Sequence, residues 1–563
     1  MSLLPPLLAI ALAIASRQVV IPLAVAVLCG AMILADRSGG WMTWVTGSLF
    51  GFGSAVWGSI SDYDHRRALV FSLLLGAMVG VLETGGGMRA LVTRLARNIR
   101  SRRGGQILIT GLGLGIFFDD YANTLLVGGT MRTTADRFGI SRAKLAYLVD
   151  STAAPVAGLS PISTWVVSEI SYVAAGLALA AATDVSAFAL FMASMPYRFY
   201  AIFALVMVVT IAVSDRDFGP MHRLGIMAGR SSDGFSEETP VPIASDTADQ
   251  SSQSQAWLAR LLGGPTKWFR EPIFGTTDFS ADTEPLPERL GWAAVAPVFA
   301  CVLAVITSLY WSGRGAVDEQ TTGFLRIAGA VISNGDSYQA LIHGGAVGLV
   351  LAMILHRMLG AVAYRRIAWG AARGALQMLP AMVILWFAWA LSAQTGEDKL
   401  DTGGYLASRL SEQVSPLFLP TAVFLVAAAV AFSTGTSWGT IAILTPLAIE
   451  LSLRIGAGAS SEPADPFGPI CVATVGSVLA GAIFGDHCSP LSDTTILSSR
   501  ASGCDHVVHV QTQMPYALSV GVITILLGTL PAAWGVSPYI CLALGTVAII
   551  AMVMILGKRP DQL

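Results

Sequence analysis

Residues 115–129 read GIFFDDYANTLLVGG. Apolar sequence surrounds them, yet Asp119 and Asp120 stand side by side between Phe118 and Tyr121. A charged carboxylate at the centre of a membrane-spanning helix costs roughly 3 kcal/mol on insertion scales. Neighbours on an intact helix also point in different directions. Both carboxylates therefore serve one cavity only where the helix is interrupted, and a break is expected near Asp119–Asn123.

The rest of the chain agrees with a membrane setting. Its 563 residues are 54% hydrophobic and 12% charged, with mean hydropathy +0.65. Soluble domains carry about 25% charged residues. Apolar stretches fall at 4–35 (interrupted at Ser16-Arg17-Gln18), 68–83, 106–130, 145–180, 198–214, 290–311, 340–356, 374–393, 414–446, 467–485, 513–533 and 536–556. At about 20 residues per crossing they amount to about ten to thirteen spans. The fold class expected is an all-α polytopic protein of a multi-pass, bacterial-type inner membrane. Residues 43–61, rich in Gly and Ser, suit an interfacial or re-entrant element. The N-terminal stretch lacks a basic leader and reads as the first membrane segment. Net charge is −2 and gives no sign of a nucleic-acid partner. Six scattered cysteines form no CxxC pair and no ligand cluster, so they read as small hydrophobes. No GxxxxGK[ST] phosphate loop and no nucleophile–base motif occurs, which argues against an ATP-driven pump or an enzyme. No cofactor is expected.

Three regions follow: a membrane half over 1–214, a polar extramembrane linker over 215–289 and a second membrane half over 290–563. Residues 89–103 hold six arginines and no acid, and 357–373 are likewise basic. Both are expected on the cytoplasmic side, with the acidic 394–413 opposite. The basic loop 132–144 stays on the cytoplasmic side only if 106–130 is a re-entrant hairpin. Each half offers a span, a TGG-containing connector, a Gly/Thr-interrupted span and an Asp-to-Pro polar break, with connectors of opposite charge. That is the mark of an inverted-repeat secondary transporter with broken helices.

Four polar breaks carry the candidate ion- and substrate-binding residues. The first holds Asp119, Asp120, Asn123 and Thr124, and the second Asp150, Ser151 and Thr152, ahead of Pro155. The third holds Thr434, Thr436 and Ser437, and the fourth Asp486, Ser489, Asp493 and Thr494. Their oxygens suit a hard cation such as Na⁺ or Li⁺ better than a soft metal. A Na⁺ site is expected on a subset of Asp119, Asp120, Asp150, Asp486 and Asp493. Of the doublet, one carboxylate can bind the ion while the other caps a helix, or both line the cavity. His487 is a candidate pH sensor, with a neutral, carbonyl-bonded histidine as the alternative. Glu83 reads as interfacial, with lining an ion path as the alternative, Trp165 and Trp438 as packing, and Pro155, Pro161, Pro446 and Pro490 as helix breakers. Arg198, at a span edge, is the one arginine placed to meet an organic anion.

At FFDDYANTLLVG, GDHCSPLSDTTILSS and LLPPLLAIALAIASRQVVIPL the chain resembles the NhaC-type sodium/proton antiporter family, within the ion-transporter superfamily. The likeness covers most of the membrane portion and omits the 215–289 insert. It implies a secondary transporter exchanging Na⁺ for H⁺, with functional weight on Asp119, Asp120, Asn123, Thr124, Asp150, Asp486, Ser489, Asp493 and Thr494. The alternative it admits is a carrier of a small organic anion, of the malate/lactate kind, or of an amino acid. The partners expected are Na⁺, protons and the lipid bilayer, with a homodimer as a possible assembly.

Overall fold

In a computed structural model, residues 2–16, 19–97, 99–182, 184–232, 287–316, 335–396, 398–402, 405, 415–457 and 465–559 are described. They form helices α1 (Leu4–Ser16), α2 (Val20–Leu34), α3 (Trp41–Ser61), α4 (Tyr63–Thr84), α5 (Gly87–Ala96), α6 (Arg102–Gly115), α7 (Asp120–Arg137) and α8 (Arg142–Leu159). Next come α9 (Val166–Leu179), α10 (Ala187–Ser194), α11 (Phe199–Ser214), α12 (Gly219–Ser232), α13 (Trp292–Gly313), α14 (Ser337–Gly360), α15 (Tyr364–Gln377) and α16 (Leu379–Thr395). The chain then closes with α17 (Leu419–Thr434), α18 (Ser437–Ala457), α19 (Pro469–Cys488), α20 (Asp493–Ser502), α21 (His506–Ile523), α22 (Leu530–Ala533) and α23 (Pro538–Leu556).

Nine helices among the described residues are long and apolar enough to cross a membrane, or ten if a bent pair over 187–214 counts as one. The protein is an integral, multi-pass membrane protein. Nine falls just short of the expected ten to thirteen, and ten meets it, because α1, α2 and α9 are short and because 106–130 is divided between α6 and α7, neither of them both long and apolar enough. Ile140 and Phe138, just beyond α7, lie beside Gly105 at the start of α6, whereas Gly113 near the end of α6 meets Thr152 in the last half of α8. So α6 and α7 run antiparallel and return to the end they left, as the basic loop 132–144 requires.

Two expected breaks change place. Asp150–Pro155 lies inside the unbroken α8, and Pro446 likewise sits inside α18. Inside a membrane, neighbouring groups can re-satisfy the one bond that an interior proline removes. The interruption in 145–180 falls later, at Ser160–Trp165, where Pro161 follows the cap and Ser163 Oγ donates to Ala157 O at 2.8 Å. Residues 41–61 are one continuous helix with no re-entrant turn. The linker is also shorter than expected, since its first residues, 215–218, are bound into the fold. Gln106 Nε2 donates to Asp215 Oδ1 at 2.6 Å, and Lys144 pairs with the buried Asp217. Tyr516 Oη donates to Asp217 Oδ1 at 2.9 Å, and Asp217 exchanges two backbone hydrogen bonds with Lys558. Residues 233–286, Arg17 and Gln18, and most of the DTGGYLASRL connector lie outside the described residues.

Glycine sets the distance between α4 and α15. A Cβ on Gly80 would stand 2.1 Å from Gly370 O, and one on Gly374 2.1 Å from Gly76 O. The small-xxx-small pairs Gly76/Gly80 and Gly370/Gly374 thus let two backbones touch, as membrane helices do where dispersion replaces the hydrophobic effect.

Candidate functional site: two hairpin tips and two Ser-Pro breaks

The first hairpin tip is built by capping. After α6 ends, Ile116–Phe118 cross over, and Asp119 takes extended geometry (φ −159°, ψ 130°) with its carboxylate accepting from Ala122 N at 2.7 Å. Asp119 is therefore the N-cap of α7, where the orphan amides and the helix dipole favour an anion. The break lies at 116–119, a few residues upstream of the position expected. Asn123 Nδ2 donates to Gly113 O at 2.6 Å and to Ile116 O at 3.0 Å. Those carbonyls end α6 and have no helical partner, so Asn123 closes the tip. Asp120 opens α7, is 1% exposed, and faces the Trp165 indole, but neither carboxylate oxygen has a hydrogen bond of ordinary geometry. The Thr124 hydroxyl, also buried, has no partner either.

The second tip is Gly435 and Thr436, between α17 and α18. Gly435 takes φ 69°, and a Cβ there would meet Leu491 O at 2.4 Å, so the turn requires glycine. Thr436 Oγ1 accepts weakly from Gly439 N at 3.4 Å, and Thr434 Oγ1 donates to Val430 O at 2.8 Å. Ser437 is buried at the start of α18. Gly481 and Gly485 of α19 touch Phe424 O and Ala428 O, so α17 runs parallel to α19, whereas Gly176 of α9 meets Pro446 and Ile449 of α18. These arms also double back.

Each tip is joined to a Ser-Pro break. After α8 comes Ser160-Pro161-Ile162-Ser163, and after α19 comes Ser489-Pro490-Leu491-Ser492. Ser160 has φ −81°, ψ 128° and Ser489 φ −83°, ψ 127°. Ile162 N donates to Ser160 Oγ at 3.2 Å, and Leu491 N to Ser489 Oγ at 3.1 Å. Thr164 N donates to Phe118 O at 2.9 Å in the first tip, and Asp493 N to Gly435 O at 3.3 Å in the second. The two units run in opposite directions. The last carbonyls of α20 (Arg500, Ala501, Ser502) accept from Arg132 and Arg142, at the end where α8 begins. Gly158 meets Ile483 where the two breaks approach each other.

Most of the expected residues gather here. Tyr121, at the first tip, is within electrostatic reach of Asp493, Asp120, Asp486 and Asp119, and Asp486 of Asp150. Asp486 Oδ2 accepts from Thr494 Oγ1 at 3.2 Å and its Oδ1 has no partner. Asp150 Oδ2 accepts from Thr495 Oγ1 at 3.0 Å and from Gln513 Nε2 at 2.6 Å, with His509 Nε2 at 4.0 Å. Ser489 Oγ donates to Phe432 O at 2.7 Å, closing the α17 end. His487 is bonded through Nδ1 to Tyr200 Oη at 3.1 Å. Thr152 Oγ1 bonds back to Leu148 O at 2.8 Å against Gly113 of α6, and Ser151 is buried beside it. Asp493 is exposed, unlike the other four aspartates, and so lies at the rim. Among the described residues no three of His, Cys, Asp and Glu form a metal cluster, so hydroxyl and carbonyl oxygens must complete any Na⁺ shell.

Glu83, at the end of α4, is buried at 9% exposure and neighbours Asp119 and Arg373. Arg198 lies at the edge expected, the N-cap of α11, but is 1% exposed, paired with Glu169 Oε2 at 2.9 Å and donating to Gly158 O. Gln513, His509, Thr495, Tyr200 and Glu169 were not singled out in the sequence.

The Na⁺/H⁺ antiporter family model matches residues 156–530. The chain belongs to the Na⁺/H⁺ antiporter family. It is 30% identical to a Haemophilus influenzae protein of no assigned function over 99% of this chain and 95% of that one. It is 31% identical to the malate-2H⁺/Na⁺-lactate antiporter of Bacillus subtilis over 118 residues, 21% of this chain and 23% of that one. Among solved structures it shares the fold of the Alcanivorax borkumensis YdaH transporter, at 13% identity and a TM-score of 0.54 over 96% of this chain and 98% of that one. These relatives make the antiporter-family chain a secondary transporter and not an enzyme.

Proposed function

We propose that this family member exchanges Na⁺ for H⁺ at the two hairpin tips, which belong to two inverted halves, 1–214 and 290–563. The observation that supports it most is Asp120, buried at the head of α7 with neither oxygen in a hydrogen bond of ordinary geometry. A carboxylate desolvated in this way is stable only when neutralised, by a proton or by a cation. It can hold one or the other, and that exclusion couples the two fluxes. Asp486, with one free oxygen, and the hydroxyls of Thr124, Thr494 and Ser437 supply further donors of the type Na⁺ prefers. His487, tied to Tyr200, supports a structural reading over a sensing one.

A second reading is carriage of a small organic acid with Na⁺ or H⁺. It is favoured by the likeness to the malate-2H⁺/Na⁺-lactate antiporter and by the acid-free, hydroxyl-bearing second tip. Against it, the buried Arg198 is already engaged by Glu169.

The test is a pH-dye assay in everted vesicles or proteoliposomes, adding Na⁺, Li⁺, K⁺, malate or lactate in turn. Dequenching on Na⁺ addition is expected. Absence of any cation response, with malate-driven Na⁺ uptake instead, would replace the first reading by the second.

A further inference from the structure

Two buried donors brace the two Ser-Pro breaks, and they differ in charge. In the first half Arg198 donates to Gly158 O, at the end of α8, and is held by Glu169. In the second, Gln513 Nε2 donates to His487 O at 3.0 Å, at the end of α19, and to Asp150 Oδ2 at 2.6 Å. Its Oε1 faces His509 Nε2 at 2.9 Å. Both carbonyls belong to last turns that have no helical donor. Gln513 is 1% exposed, so its bonds are shielded from water. Unlike Arg198, it also joins the halves, because Asp150 lies on α8 and His487 on α19. Gln513 itself carries no charge, so its bond to His487 O joins neutral groups, whereas its bond to the Asp150 carboxylate is of the stronger, charge-assisted kind.

We propose that Gln513 is a positioning residue that locks the α19–α20 break to Asp150 and so sets how readily the last turn of α19 opens during transport. The proposal rests on the secondary-transporter reading but not on the identity of the ion.

Cys488, the last residue of α19, is a native reporter at 6% exposure, and Cys471, near the start of the same helix, is its control at 3%. The full chain in membrane vesicles is treated with N-ethylmaleimide and labelling is read peptide by peptide. The variants are Gln513→Met, which keeps length without polar atoms, and Gln513→Glu, which keeps the acceptor without the donors. Both are expected to label Cys488 about tenfold faster than wild type, the equivalent of one hydrogen bond to a charged group. Cys471 labelling and detergent elution volume should not change. Wild-type Cys488 rates in both variants, or Cys471 rising in step with Cys488, would overturn the proposal. A faster Cys488 in a protein that fails to move Na⁺ would support the brace and discard only the ion assignment.

Discussion

Asp119 and Asp120 are adjacent, equally buried and differently employed: Asp119 accepts the amide of Ala122 at 2.7 Å, while Asp120 accepts no hydrogen bond of ordinary geometry. The pair therefore divides its labour. Asn also caps helices well, whereas Ala does not, and losing a cap costs about 1 kcal/mol. Asp119→Asn should keep most transport and Asp119→Ala should lower the melting temperature. Asp120→Asn should fold normally and reduce Na⁺-driven proton movement to background. Vesicle assays beside thermal melts decide it, and wild-type activity in both Asn variants would remove Asp120 from the ion site.

Competition at one carboxylate also fixes the sign of the pH dependence. Protons must leave before Na⁺ binds, so lowering pH weakens apparent Na⁺ affinity. Once the carboxylate is mostly protonated, each further pH unit should raise the half-saturating Na⁺ concentration about tenfold. Maximal rate at saturating Na⁺ should move far less. A half-saturating concentration that stays flat across the acid range would mean that Na⁺ and H⁺ occupy separate groups.

Asn123 is the clamp of the first tip, with two donor bonds to the end of α6. Leaving buried carbonyls unbonded costs about 1–3 kcal/mol each. Asn123→Ala and Asn123→Asp both lack the donor, so both should destabilise the protein and loosen the tip. Protease resistance in vesicles and thermal melting report it. An unaltered melt in both would show that water replaces the clamp.

The two hairpin tips, the Ser489–Pro490 turn and the membrane class were legible because they are local. Asp119 before α7, Gly435 between two apolar runs and Pro490 after Ser489 each announce a turn by chemistry within a few residues. Asp150 misled because a proline five residues later suggests a broken helix, and only packing shows that α8 continues. Gln513 and Glu169 were hidden for a different reason. Their importance lies in partners 363 and 29 residues away, Asp150 and Arg198, and no periodicity records such a distance.

Gly80 and Gly374 hold α4 against α15 at a separation that admits no side chain, 2.1 Å from backbone oxygens on the facing helix. Overpacking a close contact costs typically 1–3 kcal/mol, more when backbone must move. Gly80→Leu should therefore lower thermal stability sharply, with Gly80→Ala intermediate. An undiminished melt for Gly80→Leu would mean that the helices separate without penalty.

The Arg198–Glu169 pair supplies the most demanding test, because its members are 1% and 3% exposed at their side chains. Removing one partner of a buried ion pair leaves a bare charge in a dry interior and costs about 3–5 kcal/mol, whereas replacing both can be nearly neutral. Glu169→Gln and Arg198→Met alone should each destabilise the protein strongly. The double variant should recover most of the Glu169→Gln loss but not the bond to Gly158 O, which Met cannot make. A double-variant cycle by thermal melting isolates that coupling. If the pair instead fed protons or an organic anion to the site, the double variant would melt normally and yet fail to transport. Purely additive single losses would show that the two side chains are not paired in the membrane.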